Sequence, residues 1–377
     1  MGGRVTPGLY REVAKYGGGD ITACMNCGNC TATCPQSQDA GGFPRRIIHL
    51  LQMGHTEKLA ASLEPWLCYY CGECSDTCPR DANPGETMMA ARRYLTGVYD
   101  WTGLGRKFYA SVRWEIGAIV LVGLFVVGLF ALLHGPVVTD HVELNTFAPV
   151  KWVEIGDWIL GGVLAFLLLS NGWRMSHWVM SAGKGGDVPF SLYLRKLPVF
   201  FENFATQKKW RECEGPNTRW LKHFLLVTGY VTMMVLVIVF LRWFQTDEIV
   251  PFYHPTRLLG YYATAALLYV TGDFLLGRLR KEDNIHKFSE PTDWVFLVLL
   301  FLVALTGILV HVSRLSGLPL ATYSTYVVHM AIVVPMLVVE VPFGKWGHMF
   351  YRPFAAYLAA VKQGAAETAA RETELAA

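Results

Sequence analysis

Charge is scarce in this chain. Asp, Glu, Lys and Arg make up 17% of its 377 residues and hydrophobic residues 53%, with a mean hydropathy of +0.30. That excludes an ordinary soluble protein, yet the chain is not apolar enough to consist of membrane spans alone. Cysteine is absent after Cys78 except for Cys213, which reads as an ordinary thiol. The first twenty residues, MGGRVTPGLYREVAKYGGGD, hold no apolar run of the kind that forms a signal peptide, and the internal pair Arg45 and Arg46 precedes only IIHLL. Export is therefore not expected. Clustered cysteines kept in a reducing compartment are expected to bind metal rather than to form disulfides.

Eight cysteines lie between Cys24 and Cys78, in two boxes of the form C-x2-C-x2-C-x3-C-P. The first is Cys24, Cys27, Cys30, Cys34 and Pro35; the second is Cys68, Cys71, Cys74, Cys78 and Pro79. Three thiolates at three-residue intervals on a tight loop cap three corners of a cubane cluster, and the fourth, followed by Pro, is carried to the other cluster. The spacing assigns Cys24, Cys27, Cys30 and Cys78 to one [4Fe–4S] cluster, and Cys68, Cys71, Cys74 and Cys34 to a second. Gly28 and Gly72, each just after a second Cys, suit a backbone that turns sharply there. Structural zinc is the alternative, but zinc sites usually present C-x2-C pairs without a third Cys and a Cys-Pro. Between the boxes, Ile47, Ile48, Leu50, Leu51, Leu59 and Leu63 recur at helical spacing with Gly54 as a break, and Met88 to Leu95 continues as a further helix. His49 and His55 read as helix-surface residues.

Six apolar stretches reach the length of about 20 residues that a bilayer requires. They run roughly Trp114–Leu133, Val153–Met175, Trp220–Phe244, Leu258–Leu279, Trp294–Val312 and Tyr323–Val341. The segment after the second carries eight Lys and Arg from Lys184 to Lys222, and that after the fourth holds Arg278, Arg280, Lys281 and Lys287. The opposite loops offer little beyond Lys151 and Arg314. By the positive-inside rule both termini and the cysteine region are expected on the cytoplasmic side of a bacterial inner membrane. Within the basic segment, FSLYLRKLPVFFENF reads either as a membrane-surface helix or as a simple connector.

A histidine at membrane depth is costly and is weighed as a ligand. His177, His223 and His348 fall on the cytoplasmic side; His311 and His329 fall toward the outer side. His329 and His348 are 19 residues apart, about 28 Å at helical rise, which suits two stacked haems rather than one. His223 with His348 would hold the inner haem b, and His311 with His329 the outer, with His177 in reserve for His223. The two sixth-span histidines face directions about 100° apart, an offset that Pro335, Pro342 or Gly344 would have to remove. Each histidine taken alone also reads as an interfacial polar residue. Among carboxylates near the spans, Asp157, Asp273 and Glu340 are candidates for proton exchange with a quinol; pairing with Arg278 or lining a cavity is the plainer reading.

The expected fold is all-α: a two-cluster α-helical ferredoxin-like domain over 1–105, a six-span cytochrome b-type bundle over 106–352 and a helical tail over 353–377. The residues CGNCTATCP, FPRRIIHLLQMG, WLCYYCGECSDTCPR and MMAARRYL resemble the iron–sulfur C subunits of heterodisulfide reductases. Fused ahead of six spans of the nitrate-reductase-gamma cytochrome type, they resemble the QmoC family, the membrane subunits of quinone-interacting membrane-bound oxidoreductases in sulfate-reducing bacteria. The resemblance implies two [4Fe–4S] clusters, two haems b and menaquinone as membrane substrate. It further implies the flavoprotein partners QmoA and QmoB, with adenylylsulfate reductase beyond them. The gamma-type cytochromes carry two haem histidines on an early span; His223 matches the first, whereas Met233 lies nearest the second, so topology alone names His311 as the partner of His329. The paired cysteines of disulfide-handling domains are absent, so this chain is not expected to reduce a disulfide.

Overall fold

The structure, a computed structural model, describes residues 5–37, 41–181, 188–212, 218–281 and 284–376. Cys213 and Lys184 lie outside the described residues. Helices and turns account for all regular structure among the described residues, with no strand. Two compact units emerge: residues 1–110, 168–217 and 346–377 form one, and residues 111–167 and 218–345 the other.

The first unit is built around the cysteine boxes. The predicted helix between them is Arg45–Gln52, which turns Ile47, Ile48, Leu50 and Leu51 inward and leaves His49 exposed. Their 3.6-residue spacing makes a single apolar stripe. That stripe joins Leu9, Val13, Leu59, Trp66, Met88, Leu95 and Tyr99 in one core, to which Met175, Val179, Tyr351 and Leu358 also belong. Gly54 ends the helix as expected. It sits at φ 74°, its carbonyl accepts from the Thr6 N–H at 2.8 Å, and a Cβ there would collide with the Thr6 carbonyl. Gly54→Ala is expected to cost about 1–3 kcal/mol, read as a lower denaturant midpoint for the full chain.

Six described helices are long and apolar enough to cross a membrane: Val112–Leu133, Val150–Ser181, Thr218–Ile238, Pro255–Arg280, Pro291–Leu315 and Pro319–Phe343, the first to sixth spans in chain order. Residues 150–167 of the second count with the second unit and 168–181 with the first. Neighbouring helices approach through small residues, as membrane packing requires. Gly229 of the third span lies against Ala263 and Ala266 of the fourth, and Gly123 of the first against the Ala331 carbonyl of the sixth.

Two boundaries differ from expectation. The third span stops at Ile238 instead of running to Phe244; the Phe240 N–H reaches back to the Val235 carbonyl, and Leu241–Phe244 is a separate turn. A run of β-branched residues just before the break makes continued helix less favourable there. The sixth span ends at Phe343, Gly344 is extended, and His348 opens a new helix, His348–Ala376. His329 and His348 therefore do not share one helix, and the tail helix starts five residues before the expected boundary at 353. The segment FSLYLRKLPVFFENF is helical over Phe190–Thr206. It buries Leu192 and exposes Phe190, Leu194, Leu197 and Phe201.

Candidate metal centre

The two boxes fold the same way. The first cysteine of each is extended, with ψ 121° at Cys24 and 133° at Cys68. Two residues later the chain turns left-handed, at Asn26 (φ 55°) and Tyr70 (φ 54°), and the N–H of that residue donates to the preceding sulfur at 3.4 and 3.3 Å. Gly28 (φ 92°) and Gly72 (φ 99°) follow, a conformation that residues with a Cβ adopt at a cost. Each glycine opens a short helix, Asn29–Thr33 or Glu73–Asp76, that buries the third cysteine, Cys30 or Cys74. N–H groups aimed at sulfur favour thiolate and tune a bound cluster.

The two short helices are joined by the Asn29 amide donating to the Thr77 carbonyl. Their meeting carries the fourth cysteine of one box to the other. Cys24, Cys27, Cys30 and Cys78 line one concavity, together with Arg45 and Arg80. The thiols also repel each other in these groups. Burial pushes Cys30 up, and so does negative charge on Cys24, Cys27 and Cys78. Burial pushes Cys34 up to about 12, with Cys68 and Cys71 as charged neighbours, and raises Cys74, whose neighbours are Cys68, Cys71, Cys34 and Cys30. Buried thiols so placed become thiolates only against a positive partner, which bound iron supplies. Among the described residues no three His, Cys, Asp or Glu side chains converge on one metal ion. The donor set fits iron–sulfur clusters.

The surroundings of the boxes differ. Cys27 is exposed beside exposed Met25, whereas Cys68 and Cys74 are buried. Half-buried Arg92 donates to the carbonyls of Pro65 and Cys68; burial pulls its guanidinium down to about 9, which still leaves a cation at neutral pH. The Arg352 guanidinium lies 3.7 Å from the centre of the Tyr69 ring. Ligand spacing does not reveal these two arginines, because both reach the second box from distant helices.

The histidines are placed less uniformly. The ring Nδ1 of His329 lies 2.9 Å from Thr306 Oγ1, and Gly307 leaves room beside the ring. Nε2 of His311, on the neighbouring span, lies 2.9 Å from the Tyr261 hydroxyl. The rings of His311 and His329 thus engage different helices rather than each other. His177 is exposed, and belongs with His348 to the first unit, while His223 belongs to the second. Asp273 has a partner that sequence reading did not name: Lys222 Nζ is 2.8 Å from both carboxylate oxygens. Arg278 instead donates to Ser289. Glu340 is buried, as is Glu115 of the first span, a residue missed in the sequence although a Glu in the apolar run WEIGAIV is itself a signal.

Residues 23–83 match the family described as 4Fe-4S dicluster domain. Over 57 residues the chain is 37% identical to the C subunit of the Ferredoxin:CoB-CoM heterodisulfide reductase of Methanosarcina mazei, covering 15% of this chain and 35% of that protein. Over 48 residues it is 35% identical to the iron-sulfur C subunit of the CoB–CoM heterodisulfide reductase of Methanopyrus kandleri, covering 13% of this chain and 25% of that protein. The chain thus spans about a third and a quarter of the lengths of these two relatives. No solved structure matches it. Over its cysteine region the chain thus matches a 4Fe-4S dicluster domain and is similar to the C subunits of heterodisulfide reductases, and six helices fit to cross a membrane follow.

Proposed function

We propose that this chain is the membrane subunit of a menaquinol-linked oxidoreductase, passing electrons from the bilayer to soluble partners. The observation that carries the reading is the joining, in one polypeptide, of two groups of mutually acting cysteines and six apolar helices, four of which bear histidines. Cys24, Cys27, Cys30 and Cys78 hold one [4Fe–4S] cluster, and Cys68, Cys71, Cys74 and Cys34 hold the other. Bound clusters supply one-electron exchange; the chain supplies N–H groups to their sulfurs and, beside the second, the charge of Arg92.

In the membrane unit His329 suits a haem b ligand, because Thr306 holds Nδ1 and leaves Nε2 open for iron. His311 is its partner in this reading and would exchange Tyr261 for iron. His223 is a candidate ligand of the second haem. Of the carboxylates proposed for proton exchange, Glu340 is favoured over Asp273, which is already ion-paired with Lys222. The iron–sulfur region faces the cytoplasm of a bacterial inner membrane, on the side marked by basic loops. The acceptors are flavoprotein subunits of the QmoA and QmoB kind, with adenylylsulfate reductase beyond them. A second reading, the membrane subunit of another heterodisulfide-reductase-like complex, is favoured by the names of the two relatives.

The optical spectrum of the purified chain tests the proposal. Expected are b-type haem bands that a menaquinol analogue reduces, over a broad iron–sulfur absorption. Clusters without haem would leave a redox sensor at the membrane and overturn the quinol reading. The flavoproteins that co-purify with a tagged chain separate the two complexes.

A further inference from the structure

Four ionisable side chains meet at one end of the membrane unit. Glu115 lies in the first turn of the first span, Asp293 in the first turn of the fifth and Glu340 in the last turn of the sixth, with Lys345 just beyond. The glutamates are 2% and 1% exposed. The antiparallel register that sets Gly123 against Ala331, carried about two turns further, sets Glu115 against Glu340. Each carboxyl group feels the charge of the other across this contact.

Protein donors satisfy only part of this group. The Lys345 N–H donates to Glu340 Oε2 at 2.8 Å, and Lys345 Nζ donates to Asp293 Oδ1 at 2.9 Å. Glu340 Oε1 and Glu115 Oε2 are buried without a protein donor. Two carboxylates facing each other away from water do not both ionise; a proton between them supplies the missing donor and removes the repulsion. The cation that faces the pair is Lys345, and its ammonium is engaged by Asp293.

We propose that Glu115 and Glu340 form a proton-binding site, holding one exchangeable proton between their carboxyl groups with Lys345 and Asp293 as its charged surround. The step is proton transfer alone: one O–H bond forms when a proton enters and breaks when it leaves, and no electron moves. The occupancy of the site stands independently. Its service as the acceptor of protons released from a quinol rests on the function proposed above.

Infrared spectroscopy of the full chain in detergent at neutral pH reads the site, because a protonated carboxyl absorbs apart from a carboxylate and shifts in D2O. The native chain is expected to show a protonated glutamic acid that Glu115→Gln and Glu340→Gln each remove. A glutamine at 115 keeps the shape and donates to Glu340, so that variant is expected to fold; should Glu340→Gln not fold, Glu115→Gln alone decides. A native chain without a protonated glutamic acid, or a band that survives Glu115→Gln, would overturn the site. In Glu115→Gln with haem and iron retained, reduction by a menaquinol analogue is expected to slow at least tenfold. An unchanged rate with the band lost would overturn the exchange role and leave the proton site standing.

Discussion

Cys78→Ser is expected to abolish the cluster of the first box while the second box keeps its own, although Cys78 lies in the second box. The sulfur of Cys78 opens into the concavity lined by Cys24, Cys27 and Cys30, and its charge acts on Cys30. Serine preserves the shape but offers a hydroxyl where iron requires a thiolate, so that cluster keeps three ligands of four. Non-haem iron in the purified chain is expected to fall to about half, with one reduced-cluster resonance remaining in EPR. Cys34→Ser is the mirror case and removes the cluster of the second box.

Double variants make the crossing testable. Residues that serve one cluster act as a unit, so their losses do not add. Cys27→Ser combined with Cys78→Ser is expected to keep half the non-haem iron, as either single variant does. Cys71→Ser combined with Cys78→Ser is expected to lose nearly all of it. Were each box to hold its own cluster, the two pairs would exchange outcomes, and the ligand assignment would fall.

What was legible in the sequence was what depends on short separations. Both cysteine loops turn within a few residues, so spacing announced the turns at Gly28 and Gly72, though not the left-handed Asn26 and Tyr70 that precede them. The apolar spans were legible for a related reason, since bilayer thickness sets a length that composition reports directly. The helix end at Ile238 was not, because the following residues remain as apolar as the span itself. Nor was the environment of the second box, where Arg92 comes from the helix Pro84–Tyr99 and Arg352 from the helix His348–Ala376. Glu115 and Glu340 are distant in sequence and meet only through the register of two antiparallel spans. Asp273 likewise meets Lys222 across two spans, so no local pattern announces the ion pair.

Trp66→Ala is the substitution expected to weaken the first unit most. Trp66 is 2% exposed, and its ring centre lies 4.7 Å from that of Tyr351 and 6.4 Å from that of Tyr99. The three rings come from separate helices, Glu64–Leu67, Pro84–Tyr99 and His348–Ala376, so the indole ties together segments distant in sequence. Removing it discards the transfer energy of a large aromatic and leaves a void that these helices close only in part, a loss of about 3–5 kcal/mol. Set against a typical domain stability of about 5–15 kcal/mol, that brings the unit near its threshold. Tyr99→Phe gives a scale for comparison: it deletes only the hydroxyl that donates to the Ala60 carbonyl at 2.9 Å, for about 1–2 kcal/mol. Because Trp66 stands two residues before Cys68 and contributes no ligand, the folded variant is expected to retain full iron in the cold. It should then bleach at a much lower guanidinium concentration than the native chain, with cluster absorbance and helical circular dichroism lost together. A midpoint equal to that of Tyr99→Phe would mean that the indole does not anchor this core.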